Sequence, residues 1–225
     1  MKISVIIPVL NEEVAIREKL PPLQALRNEG HEIIVVDGGS TDSSLQLAKE
    51  GSDFLISSAR GRARQMNAGA RIANGDLLLF LHIDTQLPDN CSELLSQCAD
   101  KSRDAWGRFN VHLSGKHFMF RIIESMMNWR SRLTGIATGD QAIFVSRALF
   151  EQVEGFADIP LMEDIELCTR LRKINQPICL PATVMTSSRK WETRGIIKTM
   201  LLMWKLRFSY WLGKDPEQLV QQYYP

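Results

Sequence analysis

Two apolar runs that empty into acidic loops constrain this chain more than any other feature. Ile33-Ile34-Val35-Val36 leads directly into Asp37-Gly38-Gly39-Ser40-Thr41-Asp42, and Leu77-Leu78-Leu79-Phe80-Leu81 leads into His82-Ile83-Asp84. Short aliphatic or β-branched runs bounded by Gly, Ser and Asp read as buried strands. In an open α/β sheet, ligands bind where such strands stop and helix N-termini with free N–H groups begin. Two acidic strand ends therefore predict one crevice for a polar, phosphorylated ligand.

The rest of the first half repeats the pattern. Ile3–Ile7 is a strand, and Glu12–Arg27 is helical with a break at Pro21-Pro22. Ile33–Val36 is a strand, Ser43–Glu50 a helix opened by the Ser40/Thr41/Asp42 cluster, and Asp53–Ile56 a strand. Arg60–Ala73 is a helix, Leu77–Leu81 a central strand and Asp89–Ala99 a helix. Strict alternation of this kind argues for an α/β fold with a doubly wound, mostly parallel mixed sheet. Residues 1–84 form its nucleotide-binding half.

The second half, residues 85–190, is less regular. Ala105–Leu113 alternates as a strand, and Met119, Ile122, Met126, Trp129 and Leu133 share one helix face. Gly139-Asp140-Gln141 precedes a short strand at Ala142–Val145, and Met162–Ile174 is a helix with an acidic first turn. Ile178–Leu180 and Thr183–Ser187 are short strands, and residues 191–225 form a helical appendage. No repeat, low-complexity tract or flexible linker separates a second domain.

Composition removes several function classes. A formal charge of +1 gives no electrostatic reason to bind nucleic acid. Cys91, Cys98, Cys168 and Cys179 contain no C-x-x-C pair, so they read as buried thiols rather than a zinc or redox motif. The apolar start at Ile3–Ile7 is short for a signal peptide, and no run reaches the roughly 18 residues of a membrane span, so a cytoplasmic location is expected. Pro8-Val9-Leu10-Asn11-Glu12-Glu13, after the first strand, has no glycine, which argues against a dinucleotide oxidoreductase.

Taken in order, the motifs become specific. They are Val5-Ile6-Ile7-Pro8-Val9-Leu10-Asn11-Glu12-Glu13, Val36-Asp37-Gly38-Gly39-Ser40-Thr41-Asp42, and Gly61-Arg62-Ala63-Arg64-Gln65-Met66-Asn67-Ala68-Gly69-Ala70. Gly75-Asp76 through His82-Ile83-Asp84, Gly139-Asp140-Gln141 and Met162-Glu163-Asp164-Ile165-Glu166-Leu167 follow. Across nearly its whole length the chain resembles the family-2 inverting glycosyltransferases of the GT-A fold, in a small bacterial subset.

The resemblance implies transfer of a sugar from a nucleoside-diphosphate donor to a hydroxyl acceptor, assisted by Mn²⁺ or Mg²⁺. It implies donor contacts from Pro8, Asn11, Glu12 and Asp37, the last toward the base. A turn-and-cap role suits Asp37 equally well. Arg60, Arg62 and Arg64 cluster at a helix start, where a diphosphate would be met; Arg64 and Asn67 are the pair assigned to the donor. His82 and Asp84, two apart at a strand end, would project to one side in the manner of a D-x-D metal motif. Asp84 is then the oxygen ligand, and histidine in the first place favours Mn²⁺. The resemblance makes Asp164 the general base, with Glu163 at the sugar, although acids at a helix start also satisfy the helix dipole. Gly139, Asp140, Gln141, Arg189 and Trp191 would line the acceptor side. A nucleotidyltransferase and a non-catalytic nucleotide-sugar-binding module share this logic and stand as alternatives.

The segment Ile196–Leu212 is apolar and aromatic, with Lys198, Lys205 and Ser209 on one face. It reads either as an interfacial helix beside a lipid-linked acceptor, peripheral on the inner face of the membrane, or as a helix packed on the domain.

Overall fold

The computed structural model describes residues 1–223. Its centre is an eight-stranded mixed sheet in the order β3-β2-β1-β4-β7-β6-β8-β5. The strands are β1 (Ile3–Val9), β2 (Glu32–Asp37), β3 (Phe54–Ser57), β4 (Leu77–Phe80), β5 (Thr85–Gln86), β6 (Trp106–Leu113), β7 (Ile143–Ser146) and β8 (Ile178–Thr186). The first four pair in parallel. Direction then reverses, because β7 runs antiparallel to β4 and to β6 while β6 and β8 are parallel. The reversal beside β4 opens the sheet where that strand ends.

Helices cover both faces. They are α1 (Glu13–Lys19), α2 (Gln24–Asn28), α3 (Ser44–Gly51), α4 (Arg62–Ile72), α5 (Cys91–Lys101) and α6 (Phe118–Thr134). After them come α7 (Arg147–Gln152), α8 (Glu163–Leu171), α9 (Arg189–Arg194), α10 (Ile196–Trp211) and α11 (Pro216–Tyr223). Successive residues of a strand face opposite ways, so β1 places Ile3, Val5 and Ile7 in one core and Ile6 in the other. The first core includes Leu20, Leu95, Phe109 and Phe144; the second includes Met66, Phe80, Trp106 and Leu167. The break at Pro21-Pro22 is a 3₁₀ turn between α1 and α2.

Several sequence expectations shift. The two short strands expected at 178–187 are one continuous β8, and α7 and β5 are additional elements. Cys91, Cys98 and Cys168 are buried free thiols and Cys179 is half-buried. The helix expected around Met119–Leu133 forms, but its apolar stripe faces solvent. Ile122, Met126, Trp129 and Leu133 are exposed, and Phe120 and Ile123 bury instead. On α10, Ser209 does not share a solvent face with Lys198 and Lys205: it is buried with Thr199 and Leu206. That inner face packs with α11 against Leu161 and Met162, just before α8. No helix among the described residues is long and apolar enough to cross a membrane.

Candidate active site

The loop after β2 is built from its own side chains. Asp37 is buried, and its carboxylate accepts from the N–H groups of Gly39 (2.9 Å) and Ser40 (3.1 Å). Gly39 has φ +94°, which only glycine adopts without strain. Asn11, at φ 54°, accepts from the Thr41 N–H at 2.8 Å, and its own N–H donates to Ser40 Oγ at 2.9 Å. The Glu12 N–H donates to Ser44 Oγ at 2.8 Å. Asp37 and Asn11 thus shape the loop at the ends of β1 and β2, beside half-buried Pro8. Gln65, not singled out by the sequence, ties the same two strand ends by donating to Val9 O and Val36 O, both at 2.8 Å.

Of the α4 pair that the resemblance assigns to the donor, each side chain is held by a protein partner. Asn67 clamps the Phe156 backbone, donating to its carbonyl at 2.8 Å and accepting from its N–H at 2.9 Å. Arg64 is exposed and paired with Asp158 at 2.7 Å. It is Arg62 whose charge acts on Glu12, Asp140 and Glu163.

The chemistry gathers beyond β4. That strand ends at Phe80, so His82–Asp84 lies in a turn closed by the Thr85 N–H on His82 O at 3.0 Å. The strand-alternation argument therefore does not hold for this pair, and the two side chains have different partners. His82 Nδ1 stands 3.3 Å from Asp140 Oδ1. Its ring also lies against Gly139, where a Cβ would come within 2.4 Å of Nε2, so this position has room only for glycine. The Gly139 N–H donates to Asp164 Oδ2 at 3.0 Å. His82, Gly139, Glu163 and Asp164 line one narrow pocket, floored by Met66, Phe80, Ile143 and Phe156.

Burial, and then the neighbouring Asp164 charge, push the Glu163 carboxyl up to about 7. Asp140 goes the other way. Burial would raise it, but the hydrogen bond with His82 and the nearby His82, Arg62 and Lys190 charges outweigh that and hold it below the usual carboxylate range. Two carboxyls whose acidities are pushed apart, Glu163 in the pocket and Asp140 behind its His82 wall, are a recurring arrangement at sites that move protons. Ala142 (φ 48°) and Met162 (φ 71°) flank this pocket in left-handed backbone, as Asn11 does the neighbouring loop. Such strained positions are retained where the surroundings fix them, often at ligand sites.

Gln141 belongs to the scaffold. It is buried, completes a capping box with Thr138, and donates to Ser131 Oγ at 3.0 Å, fastening the loop to α6. Arg189 lies 3.8 Å from Glu12. Trp191 packs into the apolar cluster of Phe120, Ile123 and Met200 rather than into the pocket. Lys190, between them, is the cation that faces Asp140 and Asp84; burial, then Arg62 and Arg194, lower its ammonium to about 8. Arg130 and Arg207 add charge behind Asp164, and burial followed by their mutual repulsion lowers Arg130 to about 10. Spacing in the sequence could not have brought these distant cations together.

Residues 4–151 match the model of glycosyl transferase family 2. The chain belongs to that family. Among similar proteins is the undecaprenyl-phosphate 4-deoxy-4-formamido-L-arabinose transferase of Klebsiella pneumoniae, 31% identical over 152 residues, 62% of this chain and 46% of the relative. The probable glycosyltransferase YdaM of Bacillus subtilis is 28% identical over 239 residues, 95% of this chain and 55% of its own. The chain thus spans about half the length of these curated relatives. In fold it is similar to S. aureus TarS 1-349 in complex with UDP (TM-score 0.68, 21% identity, covering 83% of this chain and 60% of that one). It is also similar to the mannosyltransferase PcManGT of Pyrobaculum calidifontis in complex with GDP-Man and Mn²⁺ (TM-score 0.66, 22% identity, 92% and 60%).

Whether this family-2 site suits a divalent cation depends on its oxygens. The Glu12 carboxyl is raised by burial and then by the charge of Asp84, so the two carboxylates repel each other near the end of β4. A cation between them would remove that repulsion. Among the described residues no group of three or more His, Cys, Asp or Glu is arranged to hold a metal. The set fits a hard cation that takes one or two protein carboxylates and completes its shell with phosphate and water.

Proposed function

We propose that the protein transfers a sugar, with inversion, from a nucleoside-diphosphate donor to a hydroxyl group of a lipid-linked acceptor. The observation that carries this reading is the pocket where Asp164, held by the Gly139 N–H, stands beside a Glu163 carboxyl that burial raises to about 7, so that a substantial share keeps its proton near neutrality. Asp164 takes the acceptor's proton as its oxygen attacks the anomeric carbon, and the bond from that carbon to the diphosphate breaks. Glu163 donates a hydrogen bond to a sugar hydroxyl. Lys190 and Arg62 face the departing diphosphate, with Arg189 at the rim.

Residues 1–84 serve the donor through Pro8, Asn11, Glu12 and the Asp37 loop; residues 85–190 serve the acceptor. Asp84 would hold a divalent cation with Glu12, and that ion, when bound, neutralises the diphosphate. Mn²⁺ is the favoured ion if His82 exchanges Asp140 for the metal. The relatives' names, one with undecaprenyl phosphate and one carrying GDP-Man with Mn²⁺, support a lipid carrier and a divalent cation, while the hydroxyl as nucleophile rests on the Asp164 pocket. The exposed apolar side of residues 196–212 supports peripheral contact with the cytoplasmic face of a membrane.

Asp164→Asn keeps the shape of the side chain but cannot take a proton. Turnover of the donor should fall by ~10²–10⁴ while calorimetric donor affinity barely changes. Near-parental turnover would remove Asp164 from the role and bring Asp140 or Glu163 forward.

A further inference from the structure

The apolar stripe of α6 is left without a protein partner. Phe118, Ile122, Met126, Trp129 and Leu133 are between 42% and 69% exposed, and their spacing of three and four residues sets them on one face. On α10, Ile197, Leu201, Trp204, Phe208 and Trp211 are exposed at the same spacing. The two helices meet through their N-terminal parts. Phe120, Ile123 and Met127 share a cluster with Ile196 and Met200, and further along Arg130 feels the charge of Arg207. At the start of the seam, His117, Met119, Ile196 and Ile197 line a common cleft.

Helical geometry fixes how the stripes relate. At 3.6 residues per turn, the α10 stripe stands about a quarter turn from Ile196 and Met200, and the α6 stripe about a third of a turn from Phe120, Ile123 and Met127. Going round α10 the order is core, partner helix, stripe, whereas on α6 the buried residues Phe120 and Ile123 are themselves the ones that meet α10. Both stripes therefore face solvent, one on each side of the seam. Beyond them, Arg132 borders the α6 edge, and Lys198 and Lys205 border the α10 edge. The sequence of α10 contains no acidic residue. On α6 the sole acid is Glu124, turned inward and paired with Arg121 at 3.3 Å.

We infer that α6 and α10 together form a docking face for the surface of an anionic lipid bilayer. The inference rests on the proposed lipid-linked acceptor for its biological sense and adds α6 as half of the contact. An apolar strip carrying Trp129, Trp204 and Trp211, framed by cations, matches an interface of buried acyl chains below negative headgroups. A twofold dimer through this face would bring the surface and its basic frame onto a copy of itself, with like charges at the rim. The face also adjoins the acceptor side, because Arg207 of α10 acts on Asp164.

The test is flotation of the full chain with phosphatidylcholine vesicles, with and without phosphatidylglycerol. The variants are Trp129→Ser/Leu133→Ser on α6 and Trp204→Ser/Phe208→Ser on α10. Parental protein should float with the phosphatidylglycerol vesicles, less so as salt rises. Each double variant should lose about tenfold or more in partitioning, with unchanged circular dichroism. No parental flotation, or parental binding by the α6 variant, would overturn the two-helix face. So would sedimentation showing a dimer that the same substitutions dissolve. Donor binding, read separately by thermal shift without vesicles, tests the glycosyl-transfer reading, so failure of one is distinguishable from failure of the other.

Discussion

Glu163 should make the stability of this protein depend on pH in a direction opposite to that of most carboxylates. The folded carboxyl sits at about 7 against an ordinary value of 4.5, because it is buried and faces Asp164. Below the ordinary value both folded and unfolded chains carry the proton, and the contribution of this group to stability is fully present. As pH rises from there toward 7, the unfolded chain releases its proton first, so stability falls until the folded form has also ionised. At about 1.4 kcal/mol per pKa unit, the loss attributable to this residue is about 3 kcal/mol at most. Glu163→Gln keeps the shape and does not titrate. Urea unfolding of parent and variant, followed by tryptophan fluorescence from pH 4.5 to 8.5, isolates the effect as the difference between the two proteins. The variant should gain on the parent steadily through that window and level off above it. Asp164→Asn, by removing the like charge, should narrow the window. A difference between Glu163→Gln and parent that stays constant with pH would refute the burial argument.

Asp84→Ala should abolish the metal dependence of donor binding in a thermal-shift assay; unchanged dependence would place the cation elsewhere. His82→Asp should move the preference from Mn²⁺ toward Mg²⁺ in the same assay, and no shift would leave His82 with Asp140 alone. Asn67→Ala should cost about 2 kcal/mol in unfolding experiments while sparing donor affinity, since its hydrogen bonds go to Phe156 rather than to a ligand. Donor affinity should weaken as pH rises through about 8, where Lys190 loses its charge, and Lys190→Arg should flatten that profile in calorimetry.

The first half, residues 1–84, was legible because its signals are local. Runs such as Ile33–Val36 bury both faces of a parallel strand, and the Gly-Ser-Thr-Asp loop that follows carries its own capping groups. The second half, residues 85–190, was less so, because its order depends on reversal of β7 and on contacts between distant elements. The α6 stripe illustrates the limit. Periodicity at three and four residues identifies a helix with an apolar face, but it does not say whether that face meets protein. Here a second, opposed set around Phe120 and Ile123 fills the core, leaving the longer stripe outside. Asn67 and Gln141 show a related gap. Motif position placed both near the ligand, whereas their amides are consumed in holding backbone and neighbouring side chains. Arg62 and Lys190 act on the carboxylates instead; the motifs brought both forward as candidate cations, but the choice of Arg62 over Arg64 and of Lys190 beside Arg189 depends on contacts between distant elements.

Three consecutive residues of α10 tie the membrane reading to the chemistry. Leu206 is fully buried with Leu161 and Met162, and Met162 sets the start of α8 and hence of Glu163 and Asp164. Arg207 turns toward the α6 seam, where its charge reaches Asp164 and Asp140, and its Nε is buried with no hydrogen-bond partner among the described residues. Phe208 turns outward into the exposed stripe. Successive side chains leave a helix about 100° apart, so these three directions follow from one rigid element. A helix that rotates or slides to seat Phe208 moves Arg207 with it. The cation whose charge reaches Asp164 therefore lies on the segment that the proposed lipid docking would position.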